Sequence, residues 1–486
     1  MRKSFLLRAD PADPNSTSWI KAMARDGRAS PRVELEAFLH YLADEVGAID
    51  DAVDGAWDER VSNREGLRTV LSIEAAQLEL EAFVSLQRGR KPARVQLGLG
   101  TLLALDDLAL FACALPVVLA PNQAALRLGD PSLPFTPPES LVLAGARLER
   151  PDRFWAYRTG FTGGLDRAAL TYVMPLDPWR LRQAVLLSEL MLAFVLMHER
   201  MHWALGHLDL IRRAGATVLR MSETRQAPPP AQRAAPGRAV IDLATYRAME
   251  LQADSNAFML LCAYAMRDGG ACDGYEADAD AFQVPRDPRV LRRLGFGNRL
   301  RLCLTAAGLV CLAFRAGQMG LEAGPADTHP SPGARLMNLM VNAPLTSPLV
   351  AQDDDGDWVL RSADCIGPSG LETPAFRELT HDGMAMALFD LQTVSRALGD
   401  QFDGLNPIVA AGDGWRAASW MKDLRAFWQS DAETDHSPAR SAAALELLAL
   451  KSVDAALPKQ LYGLQRRRFG GEMSVELGDI MPASRR

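Results

Sequence analysis

The string Met197-His198-Glu199-Arg200-Met201-His202 sets two histidines four residues apart, with a glutamate directly after the first. On a helix, four residues turn through about 400°, so the two imidazoles stand one turn apart on one face and can chelate a single tetrahedral Zn2+. A water on such a metal has its pKa lowered toward about 7. Glu199, beside it, can act as general base, taking the water's proton as it attacks a carbonyl and passing that proton to the leaving amine. This is the chemistry of amide hydrolysis. The plain alternative is that these are polar side chains hydrogen-bonded in a core or on a surface. Against it, the surrounding helix is apolar on several sides, so two histidines and a glutamate within it need partners, and a metal supplies them.

A third ligand should lie downstream. The extended three-histidine pattern would need its last histidine at position 208, which is Leu208, and His207 falls one residue early. A glutamate from a second helix is the other solution. The run Ala248-Met249-Glu250-Leu251-Gln252-Ala253-Asp254 offers Glu250 as ligand, with Asp254 one turn later to accept the second ring N–H of a ligating histidine and fix its tautomer. Two acids on a solvated helix face would look the same locally.

These residues resemble a known group. HExxH followed by ExxxD on the next helix is the pattern of the gluzincin metallopeptidases, and Glu250 to Phe258 looks especially like the motif of the HtpX and CAAX-prenyl endopeptidase type. Asp327-Thr328-His329-Pro330-Ser331-Pro332-Gly333-Ala334-Arg335 resembles the segment that follows the third ligand in that group. The resemblance implies that His329 and Arg335 line the cleft, on the developing oxyanion or the substrate backbone. It covers about a third of the chain, roughly 178–342. Members of that type usually carry membrane-spanning helices, which are not expected here, and the Pro-rich insert 225–238 is foreign to their core. HExxH followed by Gly206-His207 is also similar to the phage-exclusion peptidase Lit and its relatives. That likeness implies a host translation protein as the type of substrate and makes His207 a motif position behind the ligands.

Helices must position this chemistry. Asp177-Pro178 reads as a helix start, and apolar positions recur from Trp179 to about Arg213. A second helix is expected over 239–266, a third over 290–318, and a short one over 335–341. Upstream, the helical period runs from 33 to about 86, and 97–119 reads as a buried helix. Short strands are expected at 140–148 and 168–175, the latter as the edge strand for an extended substrate. The expectation is a mainly α (α+β) protein with a zincin-like core and a small sheet. An N-terminal, mostly helical region would span 1–177, the catalytic core 178–345 and a helical C-terminal region 346–486.

Composition narrows the function. The chain has 486 residues, 48% hydrophobic and 23% charged, which suits a folded protein of more than one packed unit. Its net charge of -7 argues against a broad nucleic-acid or anionic-membrane footprint. Acids interrupt the longest apolar runs, so no membrane span is expected. The six cysteines form no CxxC pair, and the first residues lack the apolar stretch of a signal peptide. The expectation is a cytoplasmic, bacterial, zinc-dependent peptidase acting on a protein or peptide, with a regulatory partner as a further possibility. A zinc-containing regulatory or interaction protein is the alternative, favoured if His329 or His207 closes the site as a fourth ligand.

Overall fold

The structure, a computed structural model, describes residues 47, 49, 69–74, 81–85, 93–115, 118–119, 178–213, 220–222, 241–265, 288–319, 329–346, 351–352 and 358–359. It also describes most of 383–395 and 446–457, and residue 461. Among these residues the chain is mostly helical, with a small sheet. Strands β1 (Thr69–Glu74), β2 (Ala82–Ser85) and β3 (Ala93–Gly98) lead into helix α1 (Leu99–Ala114). Helix α2 (Pro178–Ala204), a short helix α3 (His207–Arg213) and strand β4 (Arg220–Ser222) follow. Then come α4 (Leu243–Ala265), α5 (Pro288–Met319) and α6 (Pro332–Thr346). A pair of two-residue strands, β5 (Ala351–Gln352) and β6 (Trp358–Val359), precedes the helical segments 383–395 and 446–457.

The sheet has the order β1-β3-β2-β4, with β1 parallel to β3 and the other pairs antiparallel. In β3, Ala93, Val95 and Leu97 are buried while Arg94 and Gln96 are half-buried, the period of two that a sheet with one covered face requires. Thr101 ties strand to helix: its hydroxyl accepts the Glu81 N–H at 2.7 Å and donates to the Glu81 carbonyl at 2.8 Å.

Helix α2 lies at the centre, against α1, α4, α5 and the sheet. Every residue from Leu190 to Ile211 is buried, which is why this helix is apolar around its whole circumference rather than along one stripe. It begins at Pro178 as expected, while Asp177 lies outside the described residues. Helix α4 is capped by Asp242, whose carboxylate accepts the Thr245 N–H at 2.8 Å and its hydroxyl at 2.6 Å. Ser331 caps α6 in the same way through Ala334 N–H at 3.2 Å.

Three expectations need correction. The stretch 33–86 is not helical throughout, because β1 and β2 occupy its later part; Val70 and Ile73 bring β-branched side chains, and residues 82–84 are all buried against neighbouring strands. The reading of 97–119 as helix starts too early, since Leu97 and Gly98 close β3. The helix expected to run unbroken to Arg213 stops at Ala204 and restarts at His207. The strands expected at 140–148 and 168–175, and the insert 225–238, lie outside the described residues.

A buried ion pair fastens segment 383–395 to α5. Arg301 donates from Nε and a terminal nitrogen to the two Asp390 carboxylate oxygens at 2.6 and 2.7 Å, and Asp390 also accepts the Leu119 N–H at 2.9 Å. Beside it Gly308 meets Leu391 so closely that a Cβ would stand 2.5 Å from Leu391 Cδ1. Removing one partner leaves a buried charge. Asp390→Ala should therefore lower stability by about 3–5 kcal/mol, read by urea unfolding, and the double change Arg301→Met with Asp390→Leu should recover most of it.

Candidate metal centre

His198 and His202 sit one turn apart on α2, and both are 1% exposed. Helix α4 packs on that face and brings Glu250, itself 2% exposed. The three side chains converge through one atom each. His198 Nε2 lies 3.0 Å from His202 Nε2 and 3.2 Å from Glu250 Oε2, and His202 Nε2 lies 3.5 Å from the same oxygen. Ligands held at about 2.0–2.1 Å on a tetrahedral zinc stand about 3.3 Å from one another. A triangle with sides of 3.0, 3.2 and 3.5 Å matches that spacing, so this buried group could hold a metal ion.

Proton positions support the fit. His198 Nδ1 is 2.9 Å from Asp254 Oδ1. An ionised carboxylate only accepts, so Nδ1 carries the hydrogen and Nε2 of the neutral ring turns its lone pair to the shared point. Burial alone would raise the Asp254 pKa, but the Arg335 charge and the bonds from Arg335 and His198 outweigh it and hold it below the ordinary value. For Glu250, burial is outweighed by protons on the imidazoles around it, His202 first, then His329 and His198, which hold its carboxyl well below the usual range; a metal ion at the shared point would take the place of those protons. With those protons displaced, the three atoms facing this buried point are acceptors, a set suited to a cation.

The other expected site residues fall around this group. Glu199 is buried, 1% exposed, directly after His198. His329, 5% exposed, brings Nε2 within 3.5 Å of Glu250 Oε2. Arg335, on the first turn of α6, donates to Asp254 from Nε at 2.8 Å and from a terminal nitrogen at 2.7 Å. These bonds place it behind His198 through Asp254. Asn338, one turn on, donates to the Leu251 carbonyl at 2.9 Å and to Ser255 Oγ at 2.8 Å, fixing α6 on the same stretch of α4.

His207 depends on the break after α2. Five residues along an unbroken helix lie about 140° around the axis, which would carry His207 away from His202. Gly206 instead takes φ 85, a left-handed conformation that favours glycine, and the chain turns before α3 begins. The His207 ring then returns to His202, with the two Nδ1 atoms 2.9 Å apart. It meets the far nitrogen of His202 and so stands behind that ring, away from the shared point. Burial, with the His202 imidazole beside it, holds the His207 pKa well below its ordinary value, which leaves the ring neutral. In the sequence Gly206 stands out only as the neighbour of His207 in a motif, with no backbone role attached, and Gln252 carries no mark of its own. A glycine interrupting a helical pattern directly before a histidine was the available sign for the first.

No protein-family model matches the chain, and neither the curated proteins nor the solved structures contain a match. Among the described residues no helix is long and apolar enough to cross a membrane.

Arg335→Met should strand the buried Asp254 carboxylate and lower stability by about 3–5 kcal/mol, with Arg335→Lys recovering only part, since an ammonium cannot make both bonds of the fork. Asp254 has a folded pKa below its unfolded one, so its contribution is fully present above about pH 3.9 and is lost as the pH falls through the lower folded value. Melting temperatures measured down the acid limb should fall less steeply in Asp254→Asn than in wild type.

Proposed function

We propose that the protein is a zinc-dependent peptidase with a gluzincin-like, zincin-type core. The observation that carries the reading is the convergence of His198 Nε2, His202 Nε2 and Glu250 Oε2 on one buried point, 3.0 to 3.5 Å apart, with Glu199 on the same helix. Two imidazoles and a carboxylate are a donor set suited to zinc in hydrolytic sites, where a fourth position is left for water or substrate. Bound there, Zn2+ would supply Lewis acidity toward a carbonyl and lower the pKa of water.

The chain's own residues then have distinct work. Glu199 takes a proton from the attacking water and returns it to the leaving amine. Glu250, His198 and His202 hold the metal. Asp254, clasped by Arg335, keeps the hydrogen on His198 Nδ1 so that Nε2 stays available. His329, 3.5 Å from the Glu250 carboxylate, is the residue that donates to charge developing on a substrate carbonyl in this reading.

That same distance favours a second reading, in which His329 closes the site as a fourth ligand and the metal is structural. Metal content and cleavage of an unstructured protein such as casein separate the two. For the peptidase, wild type should hold close to one zinc per chain. His202→Ala and Glu250→Ala should lose it, and Glu199→Gln should keep it while losing cleavage by about 10²–10⁴-fold. His329→Ala should keep the metal but cleave poorly; loss of the metal in that variant, with no cleavage by wild type, would establish the closed site. Wild-type protein that takes up no zinc would end both readings.

A further inference from the structure

His202 uses one ring nitrogen at the metal point and turns the other to His207, at 2.9 Å between the two Nδ1 atoms. One of these nitrogens must carry the hydrogen, and only one choice leaves His202 Nε2 free for a metal. The choice is made further back. Gln252 stands 3.4 Å from His207 Nε2 through Oε1, and its amide nitrogen lies 3.1 Å from Asp454 Oδ1 and 3.4 Å from the Asp454 carbonyl oxygen. Both Asp454 atoms are acceptors, so the amide NH2 must face them and the amide oxygen must face His207. His207 Nε2 therefore bears the hydrogen and donates it. In the neutral ring His207 Nδ1 is then the acceptor, His202 Nδ1–H donates to it, and His202 Nε2 is left with its lone pair on the metal point.

We infer that Asp454, acting through Gln252 and His207, is a positioning residue for the ligand His202, and that the helical segment 446–457 is thereby part of the metal centre. A second contact of that segment agrees. Glu446, eight residues earlier and so on the same helical stripe, accepts the Ser331 N–H at 3.3 and 3.2 Å and lies 3.6 Å from Arg247. Ser331 follows His329 by two residues. One face of the segment thus reaches behind His202 and also to the start of the loop and helix that carry His329 and Arg335. The inference rests on the metal reading of His198, His202 and Glu250.

The test is metal affinity in the full chain. Zn2+ is titrated against a competing chromophoric chelator, and Co2+ is added in parallel for its visible absorption, which reports ligand geometry. Asp454→Ala should weaken Zn2+ binding by about tenfold and shift the cobalt bands. Asp454→Asn, which keeps an oxygen able to accept from Gln252, should bind close to wild type. Gln252→Met, of similar length but without the amide, should weaken binding by about 10–100-fold, and it serves in place of Asp454→Ala if that variant does not fold. Thermal melts of the metal-free proteins separate a local effect from a loss of fold. Wild-type affinity and an unchanged cobalt spectrum in Gln252→Met or Asp454→Ala would overturn the inference while leaving the metal site standing. Wild type that binds neither ion overturns the metal reading and this inference together.

Discussion

Two imidazoles and a carboxylate meet at one dry point between α2 and α4, and each arrives with an acceptor atom pointing inward. Acceptors at 3.0 to 3.5 Å from one another in a low-dielectric interior repel unless a cation or shared proton sits among them. That constraint explains features of the fold that packing alone does not. A helix apolar on all sides would fill the centre of this molecule more stably without His198, Glu199 and His202. Keeping them there requires every remaining polar atom of the group to be met from behind.

The two supports come from opposite directions and differ in kind. His198 is backed by Asp254, an ionised carboxylate held in a bidentate grip by Arg335 from α6. His202 is backed by a neutral imidazole and a neutral amide, with a carboxylate only at the far end. A carboxylate behind an imidazole raises the basicity of its free nitrogen more than a neutral acceptor does. The two histidines are therefore unequal: His198 has the more electron-rich inward nitrogen, and His202 is the one whose orientation depends on a longer chain of neutral bonds. Such a chain holds direction well only while each member keeps its partner, which makes the packing of distant segments part of the site's geometry.

Much of the metal group was legible in the sequence because it rests on helical periodicity. The spacing of His198 and His202 and the i, i+4 relation of Glu250 and Asp254 define faces without reference to the rest of the fold. The mostly helical character and the presence of a small sheet were legible for the same reason. The positions of β1 and β2 were not, since strands of six and four residues are too short to outweigh the helical pattern that precedes them. Asp454 left no local mark at all. It meets Gln252 across 202 positions of sequence, and an aspartate on a half-exposed helix face looks like any other until the fold is known.

Charge gives a further reason why the centre suits a cation. Glu199, Glu250 and Asp254 are all buried on the two facing helices, and Arg335 pairs with Asp254 rather than with Glu250. With the imidazoles neutral, the Glu250 carboxylate calls for positive charge at the point it shares with His198 and His202, and an ion there uses all three inward-facing acceptors. Burial thus fixes the sign of the occupant's charge, and the triangle of acceptor atoms restricts its size.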